Sequence, residues 1–303
     1  MRKNPPKKFK KTKHKIAQDS GASVTPTQKA ILDTLKYRQI FDCPMLYHQI
    51  WSYLISSKPV SEKDFKTSLN DLVEDKKVLC KDAWYSLNKV DYERVEKRKK
   101  HAEKLIVQAN GVVKYLKHLP WLEMMAVTGS VAAFNADEQS DIDLLIVTKP
   151  QRLFLSRLFV VLILKLLGVY WYSQKPAGTI CPNILLTSDN LAWDEKNRNI
   201  YVANEISLLY PLFSHHNCYF DFLKHNAWVT HYLTNLHIPD YKSQPPAKSD
   251  FLGKLTDLIE LAVMKIQMLY MKNKKTTEIV SKNLVHFNTH DSASVILNKF
   301  EMR

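Results

Sequence analysis

The stretch from Trp121 to Leu186 leaves few folds open. Three apolar runs of strand length, Trp121–Val127, Ile142–Val147 and Ile180–Leu186, have a buried-strand pattern. The first ends at Thr128-Gly129-Ser130, and the second is bounded by Lys149-Pro150. Between the second and third lies a long apolar segment, 151–169. Strand, turn, strand, helix, strand is the order of a mixed α/β core. The apolar segment approaches the length of a membrane span. However, Arg157 and Lys165 interrupt it, and its longest uncharged apolar run is the seven residues Leu158–Leu164. Charges at mid-bilayer are costly, so a helix buried against the sheet is expected and no span. The whole chain of 303 residues, 45% hydrophobic and 24% charged, is long enough to bury a real core. Its four cysteines (Cys43, Cys80, Cys181, Cys218) are far apart and form no C-x-x-C pair, which excludes a disulfide scaffold and fits a reducing, cytoplasmic setting.

Residues 25–90 read as a separate small unit. Thr25-Pro26-Thr27 starts a helix with Ile31, Leu32, Leu35 and Ile40 at helical spacing. A second helix follows Pro44, with Leu46, Ile50, Tyr53 and Leu54. Ser61, three residues before Asp64, caps a third that carries Phe65, Leu69, Leu72 and Val73 on one face. Val78-Leu79-Cys80 and Trp84–Leu87, joined at Lys81-Asp82, form a hairpin. Three helices and a hairpin resemble a winged-helix module. Its third helix mixes Lys63, Lys66, Lys76 and Lys77 with Glu62, Asp64, Asp71, Glu74 and Asp75, which favours docking of a protein or substrate over gripping DNA.

The expected organisation is a basic disordered tail at 1–24, the winged-helix-like unit at 25–90, a catalytic-type domain at 91–240, and a linker with a C-terminal helical region at 241–303. The third part divides into a leading charged helix 91–117, a core 118–190 and helices over 191–240. Within these, Ile200–Tyr210, Phe220–Leu236 and Phe251–Lys272 read as helical, and Pro239–Ser249 as linker. The net charge of +14 is largely a property of the tail: residues 1–15 hold eight Lys/Arg and no acid, leaving 36 basic and 30 acidic residues in the body. Such an arm can meet the phosphates of RNA, or simply keep the protein soluble.

The chemistry concentrates in 124–149, MMAVTGSVAAFNADEQSDIDLLIVTK. One strand delivers Gly129-Ser130; after the ten residues 131–140, Asp141-Ile142-Asp143 opens the next. Carboxylates at i and i+2 on a strand face the same side. They repel one another unless a cation neutralises them, and hard Mg²⁺ takes carboxylate, phosphate and water oxygens. A pair of such ions clamps the attacking and leaving oxygens of a displacement at phosphorus. Gly129 lets backbone approach a phosphate, and the Ser130 hydroxyl with neighbouring amides can hold a triphosphate.

This pattern resembles the polymerase-beta-like nucleotidyltransferase superfamily, in its minimal prokaryotic form. The resemblance rests on Gly129, Ser130, Ser140, Asp141, Asp143 and Leu144, with Ala132 as the small residue of the turn, and it covers about a tenth of the chain. It implies a nucleotidyltransferase-type sheet with helices. It also implies Mg²⁺, as two ions where the site allows, and transfer of a nucleoside monophosphate from an NTP to a hydroxyl, with pyrophosphate released. Asp141 and Asp143 would hold metal, and Gly129 and Ser130 the nucleotide. The acceptor, whether small molecule, RNA end or protein, is left open. Two departures stand out. Phe134 occupies the place of a family glycine. The strand expected to bear a third carboxylate, Thr179–Leu186, offers only Asn183. Asp189, Asp194 and Glu205 lie further on, and Glu205 is the preferred substitute, with Glu205 or a water as base for the incoming hydroxyl. Without a substitute, the alternative is a nucleotide-binding or interaction module with weak or no catalysis.

Other motifs are bland. There is no G-K-[ST] phosphate loop and no G-x-S-x-G. His215-His216 reads as loop, and His231 and His237 lack partners at metal-ligand spacing. Arg152 and Lys175 lie near the expected active face but read as solvated charges, and Asn226 with Trp228 reads as a packing corner.

Overall fold

The computed structural model describes residues 24–172, 177–240, 253–272, 279–287 and 292–302. The basic arm at 1–15, Lys175 and most of the linker lie outside the described residues.

The N-terminal unit contains α1 (Pro26–Gln39), β1 (Met45–Leu46), α2 (Tyr47–Ser52), α3 (Glu62–Glu74), β2 (Leu79–Lys81) and β3 (Trp84–Ser86). Thr25 and Gln28 form a capping box at α1, and the Ser61 hydroxyl accepts from Asp64 N–H to start α3. Asp82 and Ala83 both have positive φ, as a two-residue hairpin turn requires. The second helix is shorter than its apolar spacing suggested. Met45 and Leu46 instead pair with Tyr85 and Trp84, giving an antiparallel sheet of order β1-β3-β2. Ile31, Leu35, Ile50, Phe65, Leu69 and Leu72 make its core.

The rest of the chain is α4 (Tyr92–Leu116), β4 (Leu122–Val127), α5 (Gly129–Ala132), β5 (Ile142–Thr148), α6 (Leu153–Leu166) and β6 (Ile180–Thr187), followed by α7 (Ile200–Ser207), β7 (Tyr210–Ser214), α8 (Cys218–His225), α9 (Gly253–Lys272), β8 (Ile279–Val280), β9 (Leu284–His286) and α10 (Ser292–Glu301). Six strands form one mixed sheet, β7-β4-β5-β6-β9-β8, in which only β5 and β6 run parallel. The molecule is therefore a mixed α/β protein with a second, small antiparallel sheet.

Both faces of the large sheet are covered, which is why its central strands read as continuous apolar runs. Ile142, Leu144 and Ile146 face one core with α4, α6 and α9, while Leu145 and Val147 face another with α7, α8 and the Tyr37 side of α1. By the two-residue pleat, Asp143 belongs to the second face. On α4, Leu105, Ile106, Ala109, Val112, Val113 and Leu116 are all buried.

Four features depart from the sequence reading. The helix expected over Ile200–Tyr210 stops at Ser207, and Tyr210–Ser214 becomes an edge strand beside β4. Pro211 is tolerated there because an edge strand leaves one side of its backbone unpaired. The helix expected over Phe220–Leu236 ends at His225, and a 3-10 turn at Ala227–His231 follows. The C-terminal region is not wholly helical, since β8 and β9 extend the sheet beyond β6. Finally, α6 is buried on one side only: Leu158, Leu162 and Leu166 form an exposed stripe. Among the described residues, no helix is long and apolar enough to cross a membrane.

The small unit is tied to the large one by several bonds. Asn135 Nδ2 and Arg98 both donate to Phe41 C=O, Ser56 N–H donates to Tyr232 C=O, and Val60 N–H donates to Asn235 Oδ1.

Candidate functional site

Strand register brings the motif together. Val127 pairs with Leu144 across antiparallel β4 and β5, so the chain leaves β4 beside Asp143. Thr128 N–H donates to Asp143 C=O at 2.9 Å, pinning the turn to the strand. Gly129 follows with φ +64, a conformation that favours glycine, and a Cβ there would sit 3.9 Å from Asp143 Oδ2. Ser130 Oγ stands 3.5 Å from Ser140 Oγ, and Ser140 Oγ exchanges bonds with Asp137 at 3.0 and 3.1 Å, closing the intervening loop.

Asp141 precedes β5, with its carboxylate accepting from the Trp171 indole. Asp143 lines a cavity of about 480 Å³ that also holds Gly129, Asn183, Tyr201 and Glu205. Asp143 pairs with Cys181 in parallel register, but Leu145 pairs with Ile184. The extra residue makes a bulge at Pro182-Asn183, which a proline favours because it has no N–H to lend the ladder. The bulge sets Asn183 against Asp143, to which both its amide and the Cys181 thiol donate. Asn183 Oδ1 is left buried with no partner.

Glu205 comes from α7, packed over the same sheet face, and Gly129 N–H donates to its carboxylate. That amide is thus engaged by the protein itself. Burial pushes Asp143 up to about 7, and the charges of Asp141 and Glu205 add to the rise. Burial also pushes Glu205 up to about 7, against the opposing pull of Arg38 and Gly129 N–H. Burial raises Asp141 as well. Among the described residues, no Lys, Arg or His lies within 4 Å of these three carboxylates.

Asp141, Asp143, Gly129, Ser130 and Glu205 are therefore neighbours. Asp194 lines the same cavity but is fully exposed and tied to Lys196. Arg152 is elsewhere. Far from being a solvated charge, it is buried between α6 and α9, bonded to Asp257 Oδ1 at 2.6 Å and Thr256 Oγ1 at 2.7 Å. Asn226 is buried and bonded to Leu191, Phe222, Trp193 and Trp228, forming a packing corner.

Several lining residues escaped the sequence reading. Tyr201 precedes Glu205 by one helical turn, a spacing that would have nominated it, and its hydroxyl bonds Ser292 on α10. Trp193 and His286 close the far wall, ring to ring at 5.8 Å, and nothing in the sequence links them.

For a divalent cation, the donors are hard oxygens. Among the described residues, no three His, Cys, Asp or Glu side chains form a ready-made chelating group. Mg²⁺ does not need one, since it binds through one or two carboxylates plus substrate phosphates and water. The adjacent Asp141 and Asp143, with the unpartnered Asn183 oxygen beside them, fit that demand. Compared with family models, with curated proteins and with solved structures, the chain gives no match.

Proposed function

We propose that this chain is a Mg²⁺-dependent nucleotidyltransferase that moves a nucleoside monophosphate from an NTP to a hydroxyl and releases pyrophosphate. One observation carries the reading. Asp143 and Glu205 share a cavity with Asp141 beside them, all three pushed upward by loss of solvent, and none forms an ion pair with a cation among the described residues. Carboxylates partly withdrawn from water without a counter-charge are expensive, and a site that gathers three of them suits a positive charge that arrives with the substrate.

Asp141, Asp143 and the Asn183 oxygen would hold the metal, which when bound supplies Lewis-acid charge against the growing negative charge on phosphate oxygens. The backbone turn at Gly129 and the Ser130 hydroxyl position the triphosphate. Glu205 takes the proton of the acceptor hydroxyl as that oxygen bonds to the α-phosphorus and the bond to the β-phosphate breaks. A carboxyl at about 7 suits a base at neutral pH, and Gly129 N–H fixes its orientation. On this reading the third carboxylate comes from a helix, not from the neighbouring strand. The N-terminal unit, with three helices, a short strand between the first two and a closing hairpin in the sheet order β1-β3-β2, serves as a winged-helix-like docking module.

The alternative, a nucleotide-binding module without turnover, draws support from Asn183 standing where a carboxylate is expected. Pyrophosphate release from each of the four NTPs with Mg²⁺, wild type against Asp141→Ala/Asp143→Ala, separates the two. Release that vanishes in the double variant supports catalysis, and Mg²⁺-dependent NTP binding without release supports the module. Neither release nor binding would overturn both.

A further inference from the structure

A second cavity, of about 370 Å³, lies between the N-terminal unit and the sheet. It is bounded by α1 and α2, by the Ala132–Phe134 turn and by the chain from Ser207 to Tyr210. Its polar lining includes Arg38, His48, Gln49, Tyr53, Tyr210 and Tyr219, and no Asp or Glu.

Arg38 is the unusual member, with only 9% of its surface exposed. Its guanidinium makes one side-chain contact, Nη2 to the Cys43 sulfur at 3.3 Å, and its Nε is buried with no partner. Among the described residues, no carboxylate lies within 4 Å of it. Glu205 feels its charge but lines the other cavity and forms no ion pair with it. Burying a cation without a counter-charge costs several kcal/mol. A structural arginine would have acquired a carboxylate or a set of carbonyl acceptors. This one has a sulfur, an unsatisfied N–H and an open cavity.

We propose that this cavity is a second binding site, taking a small phosphorylated molecule whose phosphate is anchored by Arg38. A phosphate offers several acceptor oxygens, and the wall offers donors for them: the guanidinium, the His48 ring, the Tyr53 and Tyr210 hydroxyls and the Gln49 amide, whose own oxygen is already engaged by Leu46 N–H, while the Tyr219 hydroxyl already donates to Leu209 C=O. The volume exceeds one phosphate group and leaves room for the body of a small ligand. The site stands apart from the carboxylate cavity. The two share Leu209 at the end of α7, so occupancy of one can be felt in the other.

The test is calorimetric titration with inorganic phosphate at constant ionic strength, with chloride and acetate as controls. It is paired with melting curves of the full chain. Binding is expected in the wild type and, unchanged, in Asp141→Asn/Asp143→Asn, which separates this site from the proposed catalytic one. Arg38→Met should weaken binding at least tenfold, and without phosphate it should melt no lower than the wild type, because it removes an unpaired buried charge. Should Arg38→Met not fold, His48→Gln on the exposed rim should weaken binding several-fold. Equal phosphate binding by Arg38→Met, or by His48→Gln where Arg38→Met does not fold, would overturn the proposal. So would a response matched by chloride or acetate, or an Arg38→Met protein that folds but melts well below wild type.

Discussion

Charge withdrawn wholly or partly from water is handled in opposite ways at the α6–α9 seam and at the mouth of β5. At the seam, the buried Arg152 and Glu260 are each met by two partners across it. Arg152 donates to Asp257 and Thr256, and the buried Glu260 accepts from Phe154 and Leu155 N–H at 2.8 Å each, capping α6 from another helix. At β5, Asp141, Asp143 and Glu205 sit together and are answered only by N–H, thiol and amide donors. The same chain satisfies charge where it holds the fold together and leaves it unsatisfied where the proposed chemistry lies. Charge left unpaired near a cavity is thus a pointer to function, and charge fully paired is a pointer to architecture.

The contrast predicts that substitutions at the two places act on different observables. The largest effect should come from Asp143→Asn, which is expected to cut Mg²⁺-dependent pyrophosphate release at least 10³-fold, or about 4 kcal/mol of transition-state stabilisation, with the fold intact. A variant that keeps near wild-type turnover would end the catalytic reading of β5. At the seam, Glu260→Ala should cost about 3 kcal/mol of unfolding free energy, since two bonds to a carboxylate and the start of α6 are lost together. Denaturant titration checks this. Intact stability would mean that other groups cap α6 in its place. Glu205→Gln ranks next, with a loss of about 10²-fold in turnover. Wild-type turnover should fall as pH drops through about 7, where Glu205 and Asp143 both gain protons, and the variant should keep only the shallower fall that Asp143 causes.

The stability of Asp143→Asn gives the fourth effect. The folded carboxyl titrates at about 7 and the unfolded one near the usual aspartate value of about 4, so between those values the folded state binds more protons. Ionising Asp143 therefore costs stability progressively as pH rises from about 4 to 7, and the full cost is present above 7. Without metal, Asp143→Asn should be more stable than wild type at pH 8, by on the order of 2 kcal/mol, and should match it near pH 4. Added Mg²⁺ should narrow the gap at pH 8 by raising the wild type alone.

Much of this was legible because local signals agreed with tertiary ones. The central strands are apolar on both faces, and the spacing of Gly129-Ser130 from Asp141 and Asp143 fixed their adjacency once β4 and β5 were antiparallel. What escaped depended on distant partners. Strands β8 and β9 have two and three residues, too short for a period, and are defined by the pairing of β9 with β6 and of β8 with β9. The break after α8 comes from Asn226, whose side chain makes four bonds, two of them to Leu191 and Trp193 more than thirty residues earlier. Asn183 meets Asp143 through a bulge that no pattern announces. Glu205 was one of three acids that sequence could nominate, and packing of α7 over the sheet sets it apart from Asp189 and Asp194. Arg38 gave no signal at all, because an arginine on an amphipathic helix reads as exposed.

The smallest effect concerns the turn between the two regions of the motif. Phe134 lies just after α5, and its backbone has φ +53. For a residue with a Cβ, that conformation costs on the order of 1 kcal/mol. The chain offsets it by setting the Phe134 ring edge-on to Tyr210, with centroids 6.0 Å apart. Phe134→Gly would relieve the backbone and lose the ring contact, whereas Phe134→Ala would lose the contact and keep the strain. Glycine should therefore be the more stable of the two variants by about 1 kcal/mol, the reverse of the order at an ordinary position. Paired denaturant titrations measure that difference directly. Alanine above glycine would mean that the turn does not hold a left-handed backbone at 134, so that the Phe134 ring offsets no strain there.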